Sequence, residues 1–116
     1  TKSIEIVYGL RNFIGNANKF SKETVYINLK SDSEITEIII EDDGNGYPRD
    51  VLSKIGEPYL RSKDPIEKSK TGLGLGLFIG KTLLEKNFAS INCRNSETRS
   101  GAEVIIKWSN KDLFNI

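Results

Sequence analysis

The sequence predicts a single α+β domain, a two-layer α/β sandwich in which helices back one sheet. Apolar residues recur at helical spacing over residues 4–20, and several short segments alternate apolar and polar residues. The segments follow the order helix, two strands, irregular segment, helix, two strands, whereas a doubly wound parallel sheet would alternate single strands with helices. A chain of 116 residues closes one hydrophobic core but not two, so we treat residues 1–116 as one domain.

The first half of the chain predicts one helix and one hairpin. The apolar residues that form the core-facing stripe of the helix are Ile6, Val7, Leu10, Phe13, Ile14, Ala17 and Phe20. Residues 24–30 alternate apolar and polar positions, residues 31–34 form a turn, and residues 35–42 are richer in isoleucine. We therefore expect two paired strands, of which the second is the more buried.

The second half predicts an irregular region, a helix and a second pair of strands. Residues 43–71 contain no long periodic segment, and only a short helix near RDVLSKI is indicated. A helix is predicted at 77–87, followed by strands at 90–95 and 101–108. The charged part of the irregular region has little to bury, so we expect it to be mobile or ordered by a ligand.

The composition excludes several classes of function. The chain is 37% hydrophobic and 28% charged with a formal net charge of +1, which gives no bulk attraction to nucleic acid or membrane. It contains one cysteine, Cys93, and no histidine, so it can form neither an internal disulfide nor a cysteine–histidine zinc site. Neither a membrane-spanning run nor a signal peptide is present, and we expect a soluble domain that recognises its partners through local sites.

Three polar residues share one face of the first predicted helix. Asn12, Asn16 and Lys19 are spaced by four and three residues, which places them opposite the apolar stripe. They form either a solvated helix face or a metal–phosphate site, because amide oxygens can ligate a hard cation and a lysine offers a point charge to phosphate. Spacing alone does not choose between these interpretations.

An acidic residue ends the isoleucine-rich strand. Asp42 begins the run DDGNGYP, which would ordinarily be a turn. A carboxylate at the end of a buried strand needs donors, however, because burying an ionised group without partners is costly. The exocyclic amine of adenine is such a donor, whereas guanine carries a carbonyl oxygen at that place. We expect Asp42 to prefer adenine if it binds a base.

Alternate glycines precede the helix of the second half. Gly72, Gly74 and Gly76 in TGLGLGL would each weaken a helix or strand by about 0.5–1 kcal/mol relative to alanine. Ahead of a helix, such glycines allow backbone N–H groups to approach phosphate oxygens, while Leu73 and Leu75 anchor the loop to the core. A flexible hinge is the alternative. The spacing matches neither the dinucleotide-binding nor the P-loop fingerprint.

These segments together resemble the ATP-binding domain of sensor histidine kinases, in the GHKL superfamily of gyrase, heat-shock chaperone, histidine kinase and mismatch-repair MutL proteins. The matching segments are LRNFIGNANKFS (the N box), DDGNGYP (the first glycine box), GEPYLRSK (the F-box region) and GLGLGLFIGKTLLEK (the second glycine box). Their order and spacing match across nearly the whole chain. The last two boxes are most similar in wording to the redox-responsive RegB/PrrB type.

The resemblance implies a Bergerat-type fold, a mixed sheet backed by helices, with ATP and Mg²⁺ between the helices and a lid. It also implies roles for individual residues. Asn16 ligates magnesium, Asn12 is the polar position one turn before it and a second candidate ligand, and Lys19 contacts phosphate. Asp42 binds adenine, Gly44 and Gly46 admit the base, the phosphate loop is Gly72, Leu73, Gly74, Leu75 and Gly76, and residues 57–71 form the lid with Tyr59 as its aromatic anchor.

The implied activity is transfer of the γ-phosphoryl group of ATP to a histidine. ATP-hydrolysing branches of the superfamily carry glutamate where this chain has Asn12, and an amide accepts protons poorly, which favours transfer over hydrolysis. Since the chain has no histidine, we expect the acceptor on a separate dimerisation domain, with a response regulator downstream. We expect the intact protein to be a homodimeric, membrane-anchored sensor with this domain in the cytoplasm, and the fragment to be monomeric. A regulatory module without transfer activity and an anti-sigma-factor-type serine kinase are the alternatives.

Overall fold

The computed structural model describes residues 2–55 and 73–114 and confirms the α+β sandwich. The elements are α1 (Lys2–Phe20), β1 (Val25–Ser31), β2 (Ile35–Asp42), α2 (Arg49–Ile55), α3 (Leu73–Lys86), β3 (Ser90–Asn95), β4 (Ala102–Ser109) and α4 (Asn110–Leu113). Both hairpins and the short helix α2 lie where the sequence predicts them. The final short helix α4 was not predicted, because its four residues are too few to carry a periodic pattern.

The described strands form one antiparallel sheet in the order β1-β2-β4-β3. Each hairpin pairs its own two strands, and the hairpins join through β2 and β4, where Ile40 lies opposite Val104. The mixed sheet implied by the resemblance is therefore not seen among these four strands. Two hairpins that meet through antiparallel inner strands leave no parallel pair. The inner position of β2 also explains its greater burial, since β1 is an exposed edge strand.

One face of the sheet is covered by α1 and α3, which pack against each other. The largest buried side chains of this core are Phe13, Ile40, Leu77, Phe78, Leu84 and Ile106. Glycines bring the two helices together. A Cβ at Gly80 would lie 2.8 Å from Cε2 of Phe13, and a Cβ at Gly9 would lie 2.9 Å from Cγ of Leu84. Both positions therefore need glycine for contact rather than for backbone conformation.

Two details of the helices differ from the predictions. Val7, placed on the core-facing stripe by its spacing, is 55% exposed, because the sheet and α3 cover a narrower arc of α1 than the apolar pattern suggests. Helix α3 begins at Leu73 and not at residue 77. No helix in the described ranges is both long and apolar enough to cross a bilayer.

Phe88, just after α3, has a left-handed backbone conformation, which is unfavourable for a residue with a Cβ. Its φ is 74°, and the turn is closed by hydrogen bonds from Phe88 N–H to the Glu85 carbonyl and from Ala89 N–H to the Leu84 carbonyl. A left-handed residue with a Cβ costs about 1–2 kcal/mol. We expect Phe88→Gly to be more stable than Phe88→Ala by about 1 kcal/mol in urea unfolding, since both lose the ring but only glycine relieves the backbone. Equal stabilities would show that this turn is not strained.

Candidate nucleotide-binding site

A cavity opens between α1 and the end of the sheet that carries Asp42. Its walls come from α1, β2, the loop after β2, and β4. The lining residues are Phe13, Asn16, Ala17, Phe20, Ile40, Asp42, Gly46, Tyr47, Ala102 and Val104. The cavity thus joins an apolar wall to a carboxylate and a side-chain amide, a combination that suits a flat, partly polar ligand. Three of the residues that the sequence singles out, Asn16, Asp42 and Gly46, meet here.

Asp42 is buried, and its hydrogen bonds from other residues reach one of its two oxygens. Its side chain is the last of β2 and is 3% exposed. Oδ1 accepts from Gly44 N–H at 2.8 Å and from Ala102 N–H at 3.3 Å. Among residues 2–55 and 73–114, no group donates to Oδ2. A buried carboxylate that is satisfied on one oxygen only can still accept a strong hydrogen bond from a ligand.

Two glycines make this position of the carboxylate sterically possible. A Cβ at Gly44 would overlap the carbonyl of Phe20, and a Cβ at Gly101 would overlap the carbonyl and the carboxylate of Asp42. That Gly44 admits a base stays a prediction; the close approach seen here is to the end of α1. The equally tight Gly101 is not indicated by the sequence, because a glycine just before a strand carries no local signal of such a contact.

Asn16 carries the unsatisfied polar atom of the site. Its Nδ2 is buried and has no hydrogen-bond partner among the described residues. A Cβ at Gly76 of α3 would lie 3.0 Å from this nitrogen, so the backbone of α3 passes close to the amide. Buried amide groups normally have partners, so an orphaned one that lines a cavity is a candidate ligand-binding group. The donor set fits a phosphate-bound cation, because the amide offers an oxygen to the metal and an N–H to phosphate.

Asn12 and Lys19 share the helix but do not line the cavity. The Asn12 Nδ2 donates to the carbonyl of Tyr8, one turn earlier, at 2.9 Å. The Lys19 side chain is exposed, and its Nζ lies 5.4 Å from the centre of the Phe20 ring. Of the predicted polar stripe, only Asn16 therefore enters the site in this conformation.

The glycine stretch lies in a helix and not in the predicted loop. Leu73, Gly74, Leu75 and Gly76 form the first turn of α3. The predicted loop is wrong because local propensity counts only the cost of glycine in a helix. At Gly76 the close contact with α1 offsets this cost. The first four N–H groups of a helix lack partners within it and carry its positive dipole end, so the turn still presents anion-binding groups. Gly72, Tyr59 and the lid at 57–71 lie outside the described residues.

Asp43 has a structural role that no pattern in the sequence indicates. Its Oδ1 accepts from the N–H groups of Lys22 and Thr24 at 2.8 and 3.3 Å, and both its oxygens accept from the N–H of Glu23. Desolvation would raise the pKa of this carboxyl, but the amide donors outweigh it and the pKa lies below its ordinary value. The bonds tie the end of α1 to the loop after β2, so the two walls of the cavity are joined.

Cys93 lies behind the wall of the cavity, against the core. Burial raises the pKa of its thiol to about 12, although the nearby Tyr47 hydroxyl and the charge of Lys81 act in the opposite direction. At neutral pH the thiol therefore stays protonated and unreactive. We expect a chromogenic disulfide reagent to label Cys93 slowly in the folded domain and rapidly in denaturant. Labelling at the rate of a free peptide thiol without denaturant would contradict this.

Comparison with known proteins gives one consistent result. Residues 1–112 match the family model described as Histidine kinase-, DNA gyrase B-, and HSP90-like ATPase. Sensor histidine kinase RegB of Cereibacter sphaeroides is 40% identical over 119 residues, an alignment that covers 90% of this chain and 26% of RegB. Sensor protein RstB of Escherichia coli is 31% identical over 99 residues, with 85% of this chain and 23% of RstB covered. The chain thus spans about a quarter of the length of these relatives.

Solved structures agree with the fold. A catalytic domain of histidine kinase ThkA has a TM-score of 0.68 at 23% identity, with 91% of this chain and 66% of that chain covered. Full-length ShkA in complex with AMPPNP has a TM-score of 0.64 at 24% identity, with 90% and 21% covered. The match to the family model over residues 1–112 shows that the chain belongs to the histidine kinase-, DNA gyrase B- and HSP90-like ATPase family.

Proposed function

We propose that this domain binds Mg-ATP and donates the γ-phosphoryl group to a histidine on a separate dimerisation domain. The observation that carries the proposal is one cavity lined by two groups that are incomplete among residues 2–55 and 73–114: the Asp42 carboxylate, with donors on one oxygen, and the buried Asn16 Nδ2, with no partner. ATP offers a matching partner to each.

The carboxylate suits adenine. Oδ2 of Asp42, which has no donor among residues 2–55 and 73–114, accepts a hydrogen bond from an exocyclic amine. A hydrogen bond to a charged group contributes about 1.5–3 kcal/mol. Guanine would place a carbonyl oxygen there, so two acceptors would face each other. The apolar wall formed by Phe13, Phe20 and Ile40 covers the faces of a planar base.

The amide and the first turn of α3 suit the triphosphate. Asn16 is assigned as the ligand of Mg²⁺, and the N–H groups of residues 73–76 are assigned to phosphate oxygens. When bound, the cation neutralises phosphate charge and orients the transferred group. Asn12 as a second ligand and Lys19 as a phosphate contact stay predictions, since both would have to turn toward the cavity.

The acceptor has to come from another domain because this chain contains no histidine. Phosphoryl transfer depends mainly on positioning and charge neutralisation, so the domain needs no nucleophile of its own. We propose that the intact protein is a homodimeric, membrane-anchored sensor whose dimerisation domain carries the histidine. A response regulator would receive the phosphoryl group next.

Two measurements test the proposal. Titrating the domain with ATP and with GTP, each with and without Mg²⁺, should show preferential binding of ATP that magnesium strengthens. Mixing the domain with the helical segment that carries the histidine and radiolabelled ATP should then transfer label that is lost in acid. Binding without transfer would indicate a regulatory module, acid-stable label would indicate a serine kinase, and absence of nucleotide binding would refute the proposal.

A further inference from the structure

One side-chain amide holds the loop after β2 to strand β3. Asn95, the last residue of β3, accepts at Oδ1 a hydrogen bond of 2.6 Å from the backbone N–H of Tyr47. Its Nδ2 donates to the carbonyl oxygen of the same residue at 3.3 Å. The amide therefore pairs with both backbone groups of Tyr47, as the backbone of a neighbouring strand would. It connects two segments that are 48 residues apart in the chain.

Gly46, which precedes Tyr47, leaves room for the Asn95 amide. Gly46 has a φ of 82°, in the left-handed region that favours glycine. A Cβ at Gly46 would lie 2.7 Å from Oδ1 of Asn95. Residue 46 therefore has to be glycine for two independent reasons, its backbone conformation and the closeness of the Asn95 amide. The loop conformation and the amide are matched to each other.

The side chain of Tyr47 lies against the core on the same side of the sheet. It is 7% exposed and lines the cavity together with Asp42. It belongs to the buried cluster against which Cys93 packs, and Cys93 is two residues before Asn95 and therefore on the same face of β3. The backbone of Tyr47 is thus held by β3, although the residue belongs to the loop that follows β2.

We propose that Asn95 is a positioning residue of the nucleotide site, which holds Tyr47 in place as a wall of the pocket beside Asp42. This inference rests on the proposed function, because it takes the cavity to be the base pocket. With the loop fixed before binding, little ordering is left for the ligand to impose. Without the amide, residues 44–48 have to be ordered when the base enters, and its fit against the wall becomes looser.

The test compares nucleotide affinities of three variants with those of the parent domain. We expect Asn95→Ala to weaken ATP binding about tenfold and to weaken GTP binding less, so that the ratio of ATP to GTP affinity falls. Asn95→Asp keeps the acceptor for the Tyr47 N–H but turns a carboxylate oxygen toward the Tyr47 carbonyl, so it should also lower the ratio of ATP to GTP affinity. The control is Asn92→Ala, an exposed position on the opposite face of β3, which should change neither affinity nor ratio.

The affinity ratio separates positioning from general destabilisation, which would weaken both nucleotides by one factor. An Asn95→Ala domain with ATP affinity within twofold of the parent, or with an unchanged ratio, would overturn the inference while leaving the proposed function intact. If Asn95→Ala does not fold, Asn95→Asp decides: a lowered ratio supports the inference and the parental ratio overturns it. A parent domain that binds neither nucleotide would refute the proposed function, and this inference with it.

Discussion

Replacing Asp42 by asparagine is expected to lower the affinity for ATP by tenfold or more. Asparagine keeps an oxygen that can accept from Gly44 N–H and Ala102 N–H, the two bonds that now reach Oδ1 at 2.8 and 3.3 Å. It places an NH₂ group where Oδ2 stood, so that a donor faces the donor of adenine. A lost hydrogen bond to a charged group is worth about 1.5–3 kcal/mol, and about 1.4 kcal/mol is a factor of ten in affinity. Isothermal titration with ATP measures the change.

A matched control for Asp42→Asn is Glu41→Gln. It removes the same charge one residue earlier, on the opposite face of β2, and glutamine can still accept from the Ser96 hydroxyl. This variant should bind ATP like the parent. If Asp42→Asn keeps the parental affinity and the parental unfolding midpoint, the carboxylate does not bind the base.

The second large effect is expected for Asn16→Ala. The variant should lose at least tenfold in Mg-ATP affinity, and much less in magnesium-free binding, because the side chain is assigned to the cation and the phosphate it carries. The free domain should be as stable as the parent or more stable. The mutation removes a buried Nδ2 that has no partner among the described residues, and such a group costs about 1–3 kcal/mol.

A variant that loses Mg-ATP affinity while the free domain keeps its stability identifies a ligand-binding group. A structural group would lose both. Titrations with and without Mg²⁺, together with urea unfolding of the free domain, measure both quantities. Asn18→Ala, an exposed position on the same helix, serves as the control and should leave affinity unchanged. Equal losses with and without magnesium, or a marked loss of stability, would assign Asn16 a structural role.

The sequence predicts the hairpins and the first helix well because each of these elements has its own local periodicity. Residues 35–42 were assigned to a strand and form β2 as predicted. The start of α3 was missed for a different reason. The glycines of its first turn are unfavourable by local propensity, and the contact of Gly76 with Asn16 that offsets them joins distant parts of the chain.

The site also combines residues that the sequence indicates with a contact that it does not. Asp42, Asn16 and Gly46 are predicted site residues because the segments that carry them resemble the N box and the first glycine box, and the structure brings them to one cavity. The pairing of Asn95 with Tyr47 has no local signal, since an asparagine at the end of a strand is common and its partner is 48 residues away. Such contacts depend on the position of β3 beside the loop in the folded sheet. The spacing of residues along the chain does not reveal this position.

The glycine contacts between α1 and α3 also restrict which substitutions this domain can accept in evolution. At Gly80 and Gly9 a single added methyl group meets Phe13 or Leu84 at less than 3 Å. A larger residue can therefore be accepted at either glycine only when the facing side chain, Leu84 or Phe13, becomes smaller at the same time. The total side-chain volume between the two helices then stays the same. Among descendants of this sequence, these two positions should change in compensated pairs or not at all.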